Sequence, residues 1–585
     1  MTRWQRYWFA EGGRTALALV RIAVAASVLL TLARLDNPTS IGDLPGSRTL
    51  YRPVGLWMLL GHTAPPELVV RVLWAVAWAS SIAMLVGAAT RISTAVSCVA
   101  VVALAALSFS ASVRWSHQYN VVLLAQVALL GARSGDTLSL DALVRRVRGL
   151  PAIDRARAYQ WSLRLVQLAV ALMFASAFFH KFVHGHFTLR WALSDNLRHQ
   201  LLIRYDLAGL PRPPLVDWLI DDPWRYKTAA LLNLVSQAAP LAACLLMKRP
   251  WLRALAGTFF VIETLALGLV IDLWNLHWLP LAAVFVDWER LLRVAPNVAS
   301  AASAPSAPSA ASAPSAPSAP SAASAASAPS AASAPSAPSA PSAPSAPSAA
   351  DWRPPRGPRI FIAAFLAYDL ITAFIPALDQ WLNTYPFSGF PMFAIVQARA
   401  PYGDHLAWDV ASAYFEVTSD RPLDRATQLW FDHANRGMYS VREPGDLERR
   451  LRTLLAQAQR RYPDFGIHGV RLWLAIYEAP PYPAPAHFER HPIAVLGELA
   501  ANGEFRTLLG RQDKTGVAMT PQHVAVPSAS LVYYRDDIPT PIPLAAPLAG
   551  NHFEVGALDG NPIYFVAIVD GTPWLVATRS HWVWN

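Results

Sequence analysis

Apolar residues run in blocks of about 20 through the first half of the chain, and short polar or arginine-bearing turns separate them. An α-helix rises about 1.5 Å per residue and the hydrocarbon core of a bilayer is about 30 Å thick, so such a block is long enough to cross it. The pattern predicts membrane helices near residues 15–34, 67–89, 94–112, 118–133, 160–181, 228–247, 253–272 and 276–292. The fourth and eighth blocks are short, which predicts tilted, re-entrant or bundle-buried segments. The break from Asp272 to His277 is either a loop between two spans or the joint between two half-spans.

Residues 299–350 are written almost wholly in Ala, Ser and Pro, with repeated Ser-Ala-Pro triplets and no charge. Such a stretch has no side chains with which to build a core, and its prolines favour extended conformers, so it reads as a spacer. A ninth apolar segment, 359–378, follows Arg353, Arg356 and Arg359. Beyond it the periodicity changes. An amphipathic helical pattern occupies about 445–461, residues 469–477 alternate in the manner of a strand, and prolines are frequent. The predicted fold is an α-helical polytopic membrane bundle of about 8–9 transmembrane helices with a C-terminal soluble, β-rich α+β domain. Its divisions are a bundle at 1–295, an Ala/Ser/Pro-rich linker at 296–350, an additional membrane helix at 351–380 and the C-terminal domain at 381–585.

Composition agrees with a membrane class: of 585 residues, 54% are apolar and 15% charged, too hydrophobic for an ordinary soluble enzyme. The two cysteines, Cys98 and Cys244, lie inside apolar blocks and support neither a disulfide framework nor a zinc site. A net charge of +10 raises the question of nucleic acid, but the arginines are scattered among helix ends instead of forming one basic face. They read as topology signals, with no nucleic-acid partner expected. The side holding the amino terminus, Arg91, Arg133, Arg145, Arg146, Arg148, Arg155, Arg157, Lys248, Arg249 and Arg253 is the more basic, and is assigned to the cytoplasm. Lys181 then lies at the outer face, and the ninth helix carries the C-terminal domain to that same face. No secretory signal or transit peptide is evident at the start, and the alanine and arginine bias fits a bacterial protein of the inner (cell) membrane.

Lysine is scarce: only Lys181, Lys227, Lys248 and Lys514 occur. Arginine does not lose its proton in proteins, whereas a desolvated lysine can, which makes Lys181 a candidate base. It ends an apolar run in which Gln167, Phe174 and Lys181 recur every seven residues on one helix face, with Arg164 one turn before Gln167. A polar stripe in a membrane helix should face a partner or a wet cavity. The plainer alternative is that Lys181 snorkels to headgroups while Gln167 and Arg164 satisfy neighbouring helices. His117 opens the fourth block within a polar and aromatic group on the same predicted side as Lys181. It has the right chemistry to bind a phenolic oxygen or simply to serve as an interfacial histidine. His180, His184, His186 and His199 lie nearby, but no carboxylate stands at ligand spacing, so no metal site is expected. Glu263 is a carboxylate deep in an apolar helix, marking a cavity or a pair with a cation such as Arg164 or Arg21. Asn233 and Gln237, four residues apart, read as interhelical hydrogen-bonding residues.

The order of these features resembles a known family. A Gln-bearing apolar helix before Lys181, His117 before a short span, Ser139-Leu-Asp141-Ala after it, Gly87-Ala-Ala-Thr90-Arg91 between spans two and three, and Tyr385-Pro386-Phe387-Ser388 through Phe393 after the last helix look like the HTTM domain. That family includes the vitamin K-dependent gamma-glutamyl carboxylases. The resemblance covers about 10–295 and, more weakly, 359–400. It implies a quinol-dependent reaction in which a lysine base takes a proton from reduced vitamin K and oxygen converts the quinol to its epoxide. A strongly basic intermediate formed on the way then removes a glutamate gamma proton, and carbon dioxide adds. By position Lys181 matches that lysine and His117 the assisting histidine, while Gln167, Phe174, Glu263 and Arg164 are the candidate cofactor-binding residues. Menaquinol is the expected reductant in a bacterium, O2 and CO2 the co-substrates, and a protein or peptide glutamate the acceptor. Two positions depart from the pattern: Phe178 stands where a small residue is usual three positions before the lysine, and Glu263 where eukaryotic members are expected to carry histidine. The alternative reading is a non-catalytic membrane scaffold or a lipid- or quinone-binding protein. A transporter is disfavoured because no inverted repeat and no matched pair of broken helices is visible.

Overall fold

Long apolar runs dictate helices, because only a helix satisfies its backbone within itself, and the computed structural model has helices in those places. It describes residues 2–35, 51, 53–60, 64–112, 117–151, 156–202, 204–205, 211–245, 249–292, 354–375, 410–434, 444–478, 489–510 and, beyond those, mainly the strands up to 578. The Ala/Ser/Pro spacer and the Tyr385–Phe393 motif lie outside the described residues. The helices used below are α1 (Arg14–Arg34), α2 (Glu67–Val86), α3 (Thr90–Ser112), α4 (Asn120–Ala128), α5 (Leu140–Val147), α6 (Gln160–His184), α7 (Pro223–Leu245), α8 (Pro250–Ile271) and α9 (Arg356–Phe374). All but α4 and α5 are long and apolar enough to cross a membrane, which gives seven such helices among the described residues.

The short fourth and eighth blocks are the ones that sequence length marks as unusual: the fourth is internal and the eighth packs one side into the bundle. Residues Asn120–Gln126 of α4 are buried without exception. The eighth block is a 3-10 helix, Leu276–Phe285, with Pro280 inside it. At about 2.0 Å per residue a 3-10 helix covers more depth than an α-helix of equal length, so these ten residues reach about 20 Å.

Contacts between segment ends define two ends of the bundle. At one end Gly13 N–H donates to Glu289, Asp141 accepts from the amides of Ala89 and Thr90 (2.8 Å each), and Arg21 reaches the carbonyls of Ser134 (2.7 Å) and Leu138 (2.6 Å). At the other end the Gln118 carbonyl accepts from Trp278 Nε1 (2.7 Å) and His277 Nε2 (3.0 Å), and Arg204 Nε donates to the carbonyl of Ile271 (2.8 Å). Asp141 acts as a tertiary cap for α3. That explains why the helix starts at Thr90, ahead of the expected position 94. α9 packs parallel to α6: Trp161 meets Phe361 near their starts and Phe179 meets Phe374 near their ends. The chain therefore leaves α9 at the end where α6 also finishes, the end of Lys181.

The C-terminal region is strand-rich. Its main strands are β1 (Val410–Ser419), β2 (Ile467–Glu478), β3 (Glu489–Leu499), β4 (Ser530–Arg535), β5 (Ile542–Leu544), β6 (Pro562–Val569) and β7 (Thr572–Thr578), hydrogen-bonded in the order β1-β2-β3-β7-β6-β4-β5. Only the β3–β7 pair is parallel within that order. Helices α10 (Arg425–Ala434) and α11 (Pro444–Arg461) pack beside it. Leu447, Leu451, Leu454 and Ala458 of α11, spaced at one helical face, enclose a core with Val470, Leu472 and Leu474 of β2. The amphipathic pattern at 445–461 and the alternation at 469–477 are both realised.

Candidate functional site

Lys181 sits one turn before the end of α6 and is 2% exposed. It does not snorkel. Its Nζ turns sideways into the bundle, where it donates to Asn233 Oδ1 and to Gln237 Oε1 (3.1 Å) and stands 4.1 Å from the centre of the buried Trp191 ring. Asn233 lies ten residues into α7, about 15 Å along that helix from Pro223, so the amine's partners belong to the interior of a span and not to its rim.

Asn233, Ser236 and Gln237 share one face of α7 at i, i+3 and i+4, and the same three residues hold Glu263 of α8. Asn233 Nδ2 (2.6 Å) and Gln237 Nε2 (2.9 Å) donate to Oε1, and the Ser236 hydroxyl donates to Oε2 (2.6 Å). An ammonium can only donate and a carboxylate only accept. Each amide must therefore turn its oxygen to Lys181 and its nitrogen to Glu263. Two amide dipoles thus bridge the cation and the anion in parallel, across three helices. The residues read from sequence as interhelical hydrogen-bonding positions join the two residues singled out for chemistry. Glu263 pairs with neither Arg164 nor Arg21: Arg164 donates to Gln167 Oε1 (3.0 Å), and Arg21 is held at the opposite end of the bundle.

The Gln167, Phe174 and Lys181 stripe does face inward, but it does not make one site. Gln167 Nε2 donates to the carbonyl of Val284 (2.6 Å), and Phe174 packs edge-on against Phe260 and Trp278 with centroids at 5.2 and 5.7 Å. Gln167 and Arg164 are fourteen and seventeen residues from Lys181 on one helix, about 21 and 25 Å away. Gln167 bonds a neighbouring segment and Arg164 bonds Gln167 within α6, and the structure does not bring either to the amine. His117 opens a 3-10 turn, His117–Tyr119, at the Lys181 end of the bundle and ahead of α4. Burial holds its imidazole down to about 4, and nearby His180 acts in the same direction, so it is neutral near pH 7. Phe178 stacks on Phe182, with planes 8° apart.

Sequence reasoning missed Trp191 and Ser236 as members of the centre. The signal for Ser236 was present in the spacing Asn233-x-x-Ser236-Gln237, which repeats polar groups on one helical face. Trp191 lies in a short helix, Arg190–Leu193, after the span, and no periodicity points to it. Among the described residues no group of three or more His, Cys, Asp or Glu could hold a metal ion.

No family model matches this chain, and no curated protein or solved structure resembles it at a significant level. Chemically, the centre can hold one amine away from water, balance a positive charge on it by a carboxylate acting through two oriented amides, and present it beside an aromatic face.

Proposed function

We propose that the chain is an integral membrane protein of the bacterial inner membrane that oxygenates a reduced naphthoquinone at the Lys181 centre, as the HTTM resemblance implies, with glutamate carboxylation as a coupled outcome. One observation carries the proposal. Lys181, in the apolar bundle, is buried and linked to a carboxylate by side chains alone. Lys181 accepts a hydroxyl proton of the quinol, and Glu263, through Asn233 and Gln237, offsets the charge that arrives. Trp191 supplies a ring face beside the amine, and neutral His117 assists from the same end. Menaquinol or vitamin K hydroquinone is the reductant, O2 and CO2 are the co-substrates, and a protein or peptide glutamate is the acceptor. With the arginine-rich end in the cytoplasm, the Lys181 end and the C-terminal domain lie outside it. The test is Lys181→Ala in protein reconstituted in lipid: quinol epoxidation is lost while the protein still folds and expresses, with thermal unfolding lowered by the loss of the cation facing Glu263. Unchanged turnover removes the assignment.

A second reading, a quinone- or lipid-binding protein without turnover, draws on one observation. An ammonium at Lys181 is held by two amide oxygens and lies against the Trp191 face. It predicts quinone in the lipid extracted from purified protein, and no oxygen uptake when reduced quinone is added.

A further inference from the structure

Helix α5 contributes no buried residue to the bundle. Leu140, Leu143, Val144 and Val147 fall at i, i+3, i+4 and i+7, a single helical face, and their exposures are 44%, 52%, 45% and 80%; Leu138 and Leu150, which flank the helix, are 50% and 47% exposed. Arg145 and Arg146, with Arg148 just past the end of the helix, lie off that face, as do Asp141 and Ala142. Eight residues cannot span a bilayer, and in water this apolar face would have nothing to cover it. The start of α5 is pinned at a defined level. Asp141 N–H donates to the Gly87 carbonyl (3.1 Å), and the Asp141 carboxylate binds the amides of Ala89 and Thr90, which form the tight turn between α2 and α3. A turn between two spans marks the boundary of the hydrocarbon. α2 itself exposes Leu68, Val69, Val72, Val76, Ile82 and Val86, so an outward apolar surface runs along this hairpin to the level at which α5 is fixed.

We infer that α5 lies in the plane of the bilayer interface, its leucine and valine face in the acyl boundary and its arginines on anionic phospholipid headgroups. Three observations select a lipid surface as the occupant: the level set by Asp141, the continuity with the outward face of α2, and three cations flanking the apolar face. The inference rests on the reading that the seven long helices cross a bilayer.

The experiment separates the two. Both native cysteines are buried, so a nitroxide can be placed selectively at Val147→Cys, and in a second protein at Ile262→Cys, an outward position midway along α8. Each is reconstituted in bilayers of phosphatidylcholine with phosphatidylglycerol. Oxygen should relax both labels more strongly than a water-soluble nickel chelate does. Lipid-like behaviour at Ile262 with nickel dominant at Val147 overturns the interfacial helix and leaves the membrane reading standing. Nickel dominant at both positions overturns the membrane reading and the inference with it. A Val147 label shielded from both reagents means that protein covers the face, and overturns the inference as well. In the triple variant Arg145→Gln/Arg146→Gln/Arg148→Gln, phosphatidylglycerol retained by the purified protein should fall by roughly fivefold for each arginine removed. Unchanged retention overturns the anionic-headgroup contact.

Discussion

Two buried cations stand at opposite ends of the bundle, and they are held by different kinds of acceptor. Arg21 of α1, fully buried, meets backbone: the carbonyls of Ser134 and Leu138, with Leu85 more distant at 3.5 Å. Lys181 meets side chains: two amides, each free to rotate about its own bonds, and beyond them a carboxylate. A carbonyl moves only with its chain, so the Arg21 end is a lock on the fold. The loop that follows α4 and the α2–α3 hairpin close around one guanidinium there, and Gly87 completes the closure. It has φ +72°, and a Cβ on it would stand 2.8 Å from Arg21 Nη1. Side-chain amides can be polarised in either direction by a change of charge at their ends, so the Lys181 end has the freedom that proton transfer needs. Burial of a cation alone does not distinguish a structural residue from a chemical one. The distinction lies in whether its acceptors can reorganise.

The largest expected effect breaks the lock. Arg21→Met keeps the apolar stem and removes the guanidinium, leaving the Ser134 and Leu138 carbonyls without a charged donor in a dry setting. That costs about 3–5 kcal/mol. Expression should collapse, or the detergent-solubilised protein should lose its cooperative thermal transition. A variant that melts with the parent would place the lock elsewhere.

The next effect probes the bridge. Lys181→Met leaves the Glu263 carboxylate without its cation, and Glu263→Gln leaves Lys181 without its anion, so each single change should destabilise by about 3 kcal/mol. Removing both leaves a neutral, hydrogen-bonded core, and the double variant should recover at least about 1 kcal/mol of the summed losses. Thermal unfolding of the four proteins gives this coupling directly. Strict additivity would mean that the two amides carry no interaction between the ends.

The contrast between the ends was only partly legible in the sequence. Apolar block length gave the long helices and marked the two short ones, because the bilayer imposes a length on every span. The pattern in α11 and β2 was equally plain, since one face of each is buried. What could not be read was pairing. Glu263 was open to Arg164 or Arg21, because sequence spacing says nothing about which helix lies beside which. Arg164 and Gln167 share the helix of Lys181 and were grouped with it on that ground, yet four to five turns of helix separate them from the amine. Ser236 and Trp191 joined the centre only once α7 and the Arg190–Leu193 turn were packed against α6. The tertiary cap supplied by Asp141 likewise shifted the start of α3 by four residues, which no local rule anticipates.

The smallest effect tests how the ninth helix is tied to the end that holds Lys181. Near the close of α9 the Ala373 carbonyl accepts from Ser176 Oγ (2.9 Å) and faces His180 Nε2 at 3.0 Å, both from one face of α6. The last carbonyls of any helix lack intrahelical donors, so α6 supplies to α9 what its own backbone cannot. Ser176→Ala removes one of the two contacts and leaves the other. The expected loss is about 1 kcal/mol, too little to unfold the bundle. It should be felt locally, as opening of α9 against α6, and hydrogen exchange over 365–374 should speed up about fivefold while α1 and α6 keep their protection. Equal acceleration throughout would mean that α9 opens only with the whole bundle. No acceleration would mean that the His180 contact and the Phe179–Phe374 ring pair, with centroids at 5.1 Å, hold the helix without the hydroxyl. In that last case the tie between the end of α9 and the Lys181 end of α6 would run through His180 and the ring pair instead of through Ser176.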